Sequence, residues 1–249
     1  MAYLMRTSNP TLNERAFKGQ VAIGEAMTLQ GTVNKTGLLL LFVVITAAWT
    51  WGLSHSDTPY AAVPWMLGGL IGGFIVALVT VFKKEWSPVT APLYALLEGL
   101  VLGGISAIFE KTYPGVAIQA VGLTFGTLFV MLLAYKSGIV RATQGFKIGV
   151  IAATGGIAVF YLVEMVLGFF FHIQVPAING SGPWGIAFSL FVVVIAALNL
   201  VLDFDLIETG VRMGAPKYME WYGAFGLMVT LVWLYVEVLI LLSKLRGRD

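Results

Sequence analysis

Long apolar runs alternate with short polar segments along this chain, and seven of them recur at about 37–53, 62–82, 91–109, 115–135, 146–171, 184–203 and 221–243. A helix needs about 20 apolar residues to cross the hydrocarbon core of a bilayer. The pattern therefore predicts an all-α integral membrane protein, a bundle of seven transmembrane helices. The separators "SHSDTPY", "KKEWSP", "EKTYPG", "KSGIVRATQG", "HIQVPAINGSGPWG" and "ETGVRMGAPKYME" set Pro and Gly where helices must stop. Residues 1–36 are polar and mixed in charge, and they predict an arm ahead of a membrane domain at 37–249. The arm has no apolar core followed by small residues, so the first span reads as an uncleaved insertion signal.

Composition agrees with the pattern. Of 249 residues, 58% are hydrophobic and 11% charged, and the mean hydropathy is +0.88, outside the range of soluble domains. A net charge of +2, dispersed along the chain, argues against nucleic acid as a partner, because that needs a concentrated basic face. The cysteine count is zero, which excludes disulfides, thiol catalysis and cysteine-type zinc sites.

Charge asymmetry sets the expected orientation. Eleven basic residues fall on the side of the N-terminus (Arg6, Arg15, Lys18, Lys35, Lys83, Lys84, Lys136, Arg141, Lys147, Arg212 and Lys217), and one, Lys111, falls in the opposite loops. The positive-inside rule then predicts a cytoplasmic N-terminus in a cell inner (plasma) membrane protein. Lys244, Arg246 and Arg248 lie on the wrong side of a seventh complete crossing. Glycine pairs spaced by four, Gly68 with Gly72, Gly69 with Gly73, Gly99 with Gly103 and Gly122 with Gly126, predict close helix packing within the bundle, or a dimer seam.

The chemistry lies in acids inside the spans: Glu98, Glu164, Asp203 and Glu237, with Asp205 and Glu208 just beyond. None of the spans has Lys or Arg in its middle. A charge at bilayer depth costs about 2.5–3.5 kcal/mol even on the mildest scales, so such acids are expected to share protons or to meet cations. Glu98 and Glu164 also admit a plainer reading, as protonated carboxyls bonded to a neighbouring helix. Asp205 and Glu208 read equally as a solvated helix end, since Arg212 and Lys217 follow. Asp203 lies four residues after Asn199, which stacks their oxygens on one helix face.

These residues carry a resemblance. "SNPTLNERAF", "MTLQGTVNKTGLLLLF", "YALLEGLVLGGIS", "LDFDLIE" and "WLYVEVLILLSKL" are similar to stretches of the Bax inhibitor (transmembrane Bax-inhibitor motif) family, in particular its bacterial branch, and span residues 8 to 245. The resemblance implies a seven-helix fold with a central last helix, and the activity of a pH-sensitive calcium leak channel. It implies a sensor and cation pathway at Asp203, with Asp205 as the alternative register, and at Glu237, where the family has aspartate. Calcium ligation would then fall to Asp203 and Glu237, with no resident cofactor and with Ca2+, protons and the lipid bilayer as partners. The connection between the two acids is long. A last span beginning at Trp221 would put Glu237 about 24 Å along it, so contact with Asp203 requires 217–228 to form an in-plane or cytoplasmic extension.

Two other classes compete. The chain is alternatively a regulator that binds a membrane protease or the secretion machinery through its arm. An enzyme is not expected: a retinal-type Schiff base needs a buried lysine in the last helix, and Lys244 stands at its very end. His55 and His172 both fall outside the spans, where they build no H-E-x-x-H metal motif.

Overall fold

A computed structural model describes residues 25–56, 60–172, 178 and 180–247. It contains seven helices long and apolar enough to cross a membrane: α1 (Leu29–Ser54), α2 (Val63–Phe82), α3 (Ser87–Thr112), α4 (Val116–Lys136), α5 (Gln144–Phe171), α6 (Pro183–Arg212) and α7 (Met219–Arg246). No strand occurs among the described residues. The predicted seven-helix membrane bundle is the observed architecture. Residues 1–24 of the expected arm lie outside the described residues.

Several helices extend past their apolar runs. Thr28 caps α1 by accepting from the Gly31 N–H at 3.0 Å, so the polar stretch 29–36 is helical and the helix begins earlier than residue 37. At 30 residues α6 continues through Asp203, Asp205 and Glu208 to Arg212, about 45 Å at 1.5 Å per residue. Gly214, at φ +66, ends it. α7 then starts at Met219 and runs 28 residues without a break. From Met219 the 217–228 stretch is the first part of α7 itself, continuous with the rest of that helix. Of the seven, α7 is the most buried, with 67% of its most apolar window enclosed against 11% in α5.

The chain divides into two compact units. One holds α1, α2, α3 and the segment Asp205–Val229. There a Cβ on Gly99 would overlap the carbonyl of Val43, and one on Gly103 the carbonyl of Ala47, so these glycines seat α3 against the backbone of α1. A Cβ on Gly69 would lie 2.5 Å from the Leu97 carbonyl, which sets α2 on α3 in the same way. These pairs serve packing within the chain, as small residues do where lipid offers no drive for association. Gly68, Gly122 and Gly126 have nothing within 4 Å.

The other unit holds Ile118–Phe204 and the stretch from Thr230 onward. Its core is Ile157 of α5 with Val192 and Ile195 of α6, packed by Ala153, Tyr161, Phe188, Leu198 and Trp233. Phe160 and Phe188 pack with centroids 5.0 Å apart. Outward positions of α4 and α5, such as Phe129, Val130, Val159 and Phe169, are large, apolar and exposed, the composition a lipid-facing surface needs.

Candidate functional site

In the unit formed by α4, α5 and most of α6 and α7, Glu237 is 3% exposed. Its Oε1 accepts from the Tyr161 hydroxyl at 2.9 Å and from the Trp233 indole N–H at 3.2 Å, and its Oε2 accepts from Tyr161 at 3.2 Å. Trp233 precedes Glu237 by one helical turn on α7, and Tyr161 comes from α5. Both donors are neutral.

Asp203 of α6 is fully enclosed, at 0% exposure. Asn199, one turn earlier, is buried as well, and its amide donates to Thr154 Oγ1 at 2.9 Å and to the Ile195 carbonyl at 2.8 Å. The amide thus ties α6 to α5. Asp203 stands nine residues before the end of α6 at Arg212, and Glu237 eighteen after the start of α7 at Met219. Asp205 is half-buried and Glu208 exposed, as a helix leaving the apolar layer would place them. Glu98, in the unit of α1 to α3, is half-buried and shares a hydrogen bond with Tyr94 one turn before it. Among the described residues no three His, Cys, Asp or Glu side chains form a metal-holding group.

Two acids of the spans, Glu237 and Glu164, do have a cation acting on them, contrary to the expectation from the spans alone, because Lys244 folds inward at the end of α7 and is 9% exposed. Its ammonium donates to the carbonyls of Ile178 and Gly185 and to Ser189 Oγ, and its charge attracts Glu237 and Glu164 over a longer range. Burial also explains why Lys244 sits on the side that the charge bias disfavours: it is not a loop lysine. Arg246, two residues on, donates to Gln119 at 3.0 Å.

Glu220, by contrast, drew no remark in the sequence. It is fully buried at the start of α7, accepts from Thr28 and Lys35, and has Lys217 Nζ at 3.4 Å. Around it the chain before α1 is stitched to the turn after α6. The Met27 N–H donates to the Ala215 carbonyl at 2.6 Å, and the Lys217 N–H to the Glu25 carbonyl at 3.1 Å. A carboxylate fixed by two cations and a helix cap is a structural anchor.

No curated protein and no solved structure matches the chain. A family model described as Bax inhibitor 1 like matches residues 9–247, a stretch that takes in all seven helices and every acid described above. By that match, the chain belongs to the Bax inhibitor 1 like family.

Proposed function

We propose that this protein is a pH-sensitive cation leak channel, with calcium as cargo, in a cell inner membrane and with its N-terminus in the cytoplasm. Glu237 and Asp203 are its two acidic stations, on the last two helices, with Asn199 and Asp205 beside the second. The observation that carries this reading is the setting of Glu237: enclosed in an apolar bundle, its carboxylate is held by Tyr161 and Trp233. Neutral donors let a carboxyl gain or lose a proton without breaking an ion pair. An ionised Glu237 attracts a hard cation through oxygen, and a protonated one loses most of that attraction. The test is calcium entry into dye-loaded liposomes bearing the purified protein, where Glu237→Gln, which keeps the shape and removes the titration, should remove most of the pH dependence. Liposomes as tight with the protein as without it would defeat the channel reading.

A second reading, the regulator of a membrane protease, draws on the stitching of residues 25–28 to the turn before α7. A partner that pulls on the arm would act directly on that turn. Deleting residues 1–24 separates the two readings: a channel keeps its flux, whereas a regulator acting through the arm loses its effect on protease activity in the membrane.

A further inference from the structure

Lys244 occupies a nest of neutral oxygens. Its Nζ lies 2.8 Å from the Ile178 carbonyl, 3.3 Å from the Gly185 carbonyl and 2.9 Å from Ser189 Oγ. An ammonium has three N–H donors and no acceptor, so three oxygens satisfy it fully, and none of them is a carboxylate. The nest depends on a close backbone approach, since a Cβ on Gly185 would overlap the Gly180 carbonyl and lie 2.8 Å from that of Ile178. Helix electrostatics do not build it. Gly185 and Ser189 belong to the first two turns of α6, the positive end of a helix dipole, which repels a cation. The oxygens have to outweigh that repulsion. Neutral oxygens converging on one monovalent charge are also the means by which channels replace an ion's hydration shell.

We propose that the Ile178 and Gly185 carbonyls with Ser189 Oγ form a monovalent-cation site, filled by the chain's own Lys244 ammonium as a tethered plug. The plug role rests on the channel reading, and the site itself does not. Lys244 lies seven residues, two turns, beyond Glu237 on α7, hence on the same helix face. A cation passing Glu237 in that direction meets a fixed positive charge already seated in the next cluster of oxygens.

Chemical rescue tests the site. Purified Lys244→Ala keeps the oxygens and loses the ammonium, so its thermal midpoint should fall. Butylammonium should restore it by several degrees, while choline at equal ionic strength and neutral butanol should not, and the natural protein should respond to none of them. Equal responses of Lys244→Ala to butylammonium and to choline would overturn the site. Should Lys244→Ala fail to fold, the absence of cysteine from the chain allows a second route. Lys244→Cys carries a single thiol, and aminoethylation of it should restore the midpoint where methylation of the same sulfur does not; equal recovery from both would again overturn the site. In liposomes, Lys244→Ala should leak cations several-fold faster than the natural protein, and butylammonium should reverse the gain. An unchanged leak alongside thermal rescue would overturn the plug and leave the site standing. Absence of flux from every form would count against the channel itself, with the thermal comparison still deciding the site.

Discussion

Glu220 Oε1 accepts two hydrogen bonds from Thr28, from its backbone N–H and from its hydroxyl, each at 2.8 Å and across 192 positions of sequence. The same hydroxyl accepts from the Gly31 N–H at 3.0 Å, so one threonine caps α1 and ties that cap to the first turn of α7. Lys35 completes the carboxylate's shell. Removing one member of a buried, bonded charge set leaves the others unsatisfied. Glu220→Ala should therefore lower unfolding stability in detergent by about 3 kcal/mol. Glu220→Gln, which keeps an acceptor for Thr28, should cost about half as much. A loss below about 0.5 kcal/mol for the alanine variant would mean that water replaces these partners.

Lys217 gives the same clasp an alkaline limit. It lies between the spanning helices, 3.4 Å from Glu220 Oε1 and 3.5 Å from Glu25 Oε2. The Glu220 carboxylate, helped by Glu25, raises its pKa above the ordinary 10.5. A lysine raised on folding stabilises the protein fully below its unfolded pKa and loses that contribution as pH climbs through the folded one. The side chain is 46% exposed, so the effect is small. In thermal midpoints measured against pH, the natural protein should fall toward Lys217→Met above about pH 10.5. A constant gap across that range would assign the Lys217 contribution to packing instead.

The glycines divide by environment. A Cβ at Gly103 would overlap the Ala47 carbonyl, while Gly122 has nothing within 4 Å. Gly103→Ala should destabilise the protein by about 1–3 kcal/mol, because backbone has to move, whereas Gly122→Ala should stabilise α4 by up to about 1 kcal/mol through helix propensity. Unfolding curves for the two variants in one detergent decide this, and equal shifts would remove the distinction between packed and open glycines.

The apolar runs located every spanning helix, because backbone satisfaction in lipid forces each run into one α-helix. The same reading stopped α6 near Asp203. Acids end a hydropathy run, but they do not end a helix once the chain has left the apolar layer, and Asp205 and Glu208 sit in that continuation. Glu98, Glu164, Asp203 and Glu237 stood out as acids in apolar runs. Lys244 did not, since a lysine at the end of a span normally extends its ammonium toward the interface. What turns it inward is oxygen supplied by Ile178 and by the start of α6, dozens of residues away. Glu220 was hidden for a related reason: within "APKYME" it reads as one more loop charge, and only the fold brings Thr28 and Lys35 to it.

Orientation is open to direct measurement. The eleven-to-one bias of basic residues, with Lys244 withdrawn into the protein, predicts that the segments 83–90, 136–145 and 204–220, helix ends included, face the cytoplasm. Reporter domains fused after residues 57 and 141 should fall on opposite sides of the membrane, the second inside. Both on one side would break the count of crossings between them.

The carboxylate pathway is tested most directly by the pH dependence of calcium flux into liposomes from about pH 5 to about pH 8, compared among the natural protein, Asp203→Asn, Glu237→Gln and the double variant. If the two acids serve one pathway, the natural protein conducts with a pH-dependent rate, each single change removes most of that dependence, and the double change is no worse than either. An unaltered pH response in both single variants would contradict the carboxylate pathway.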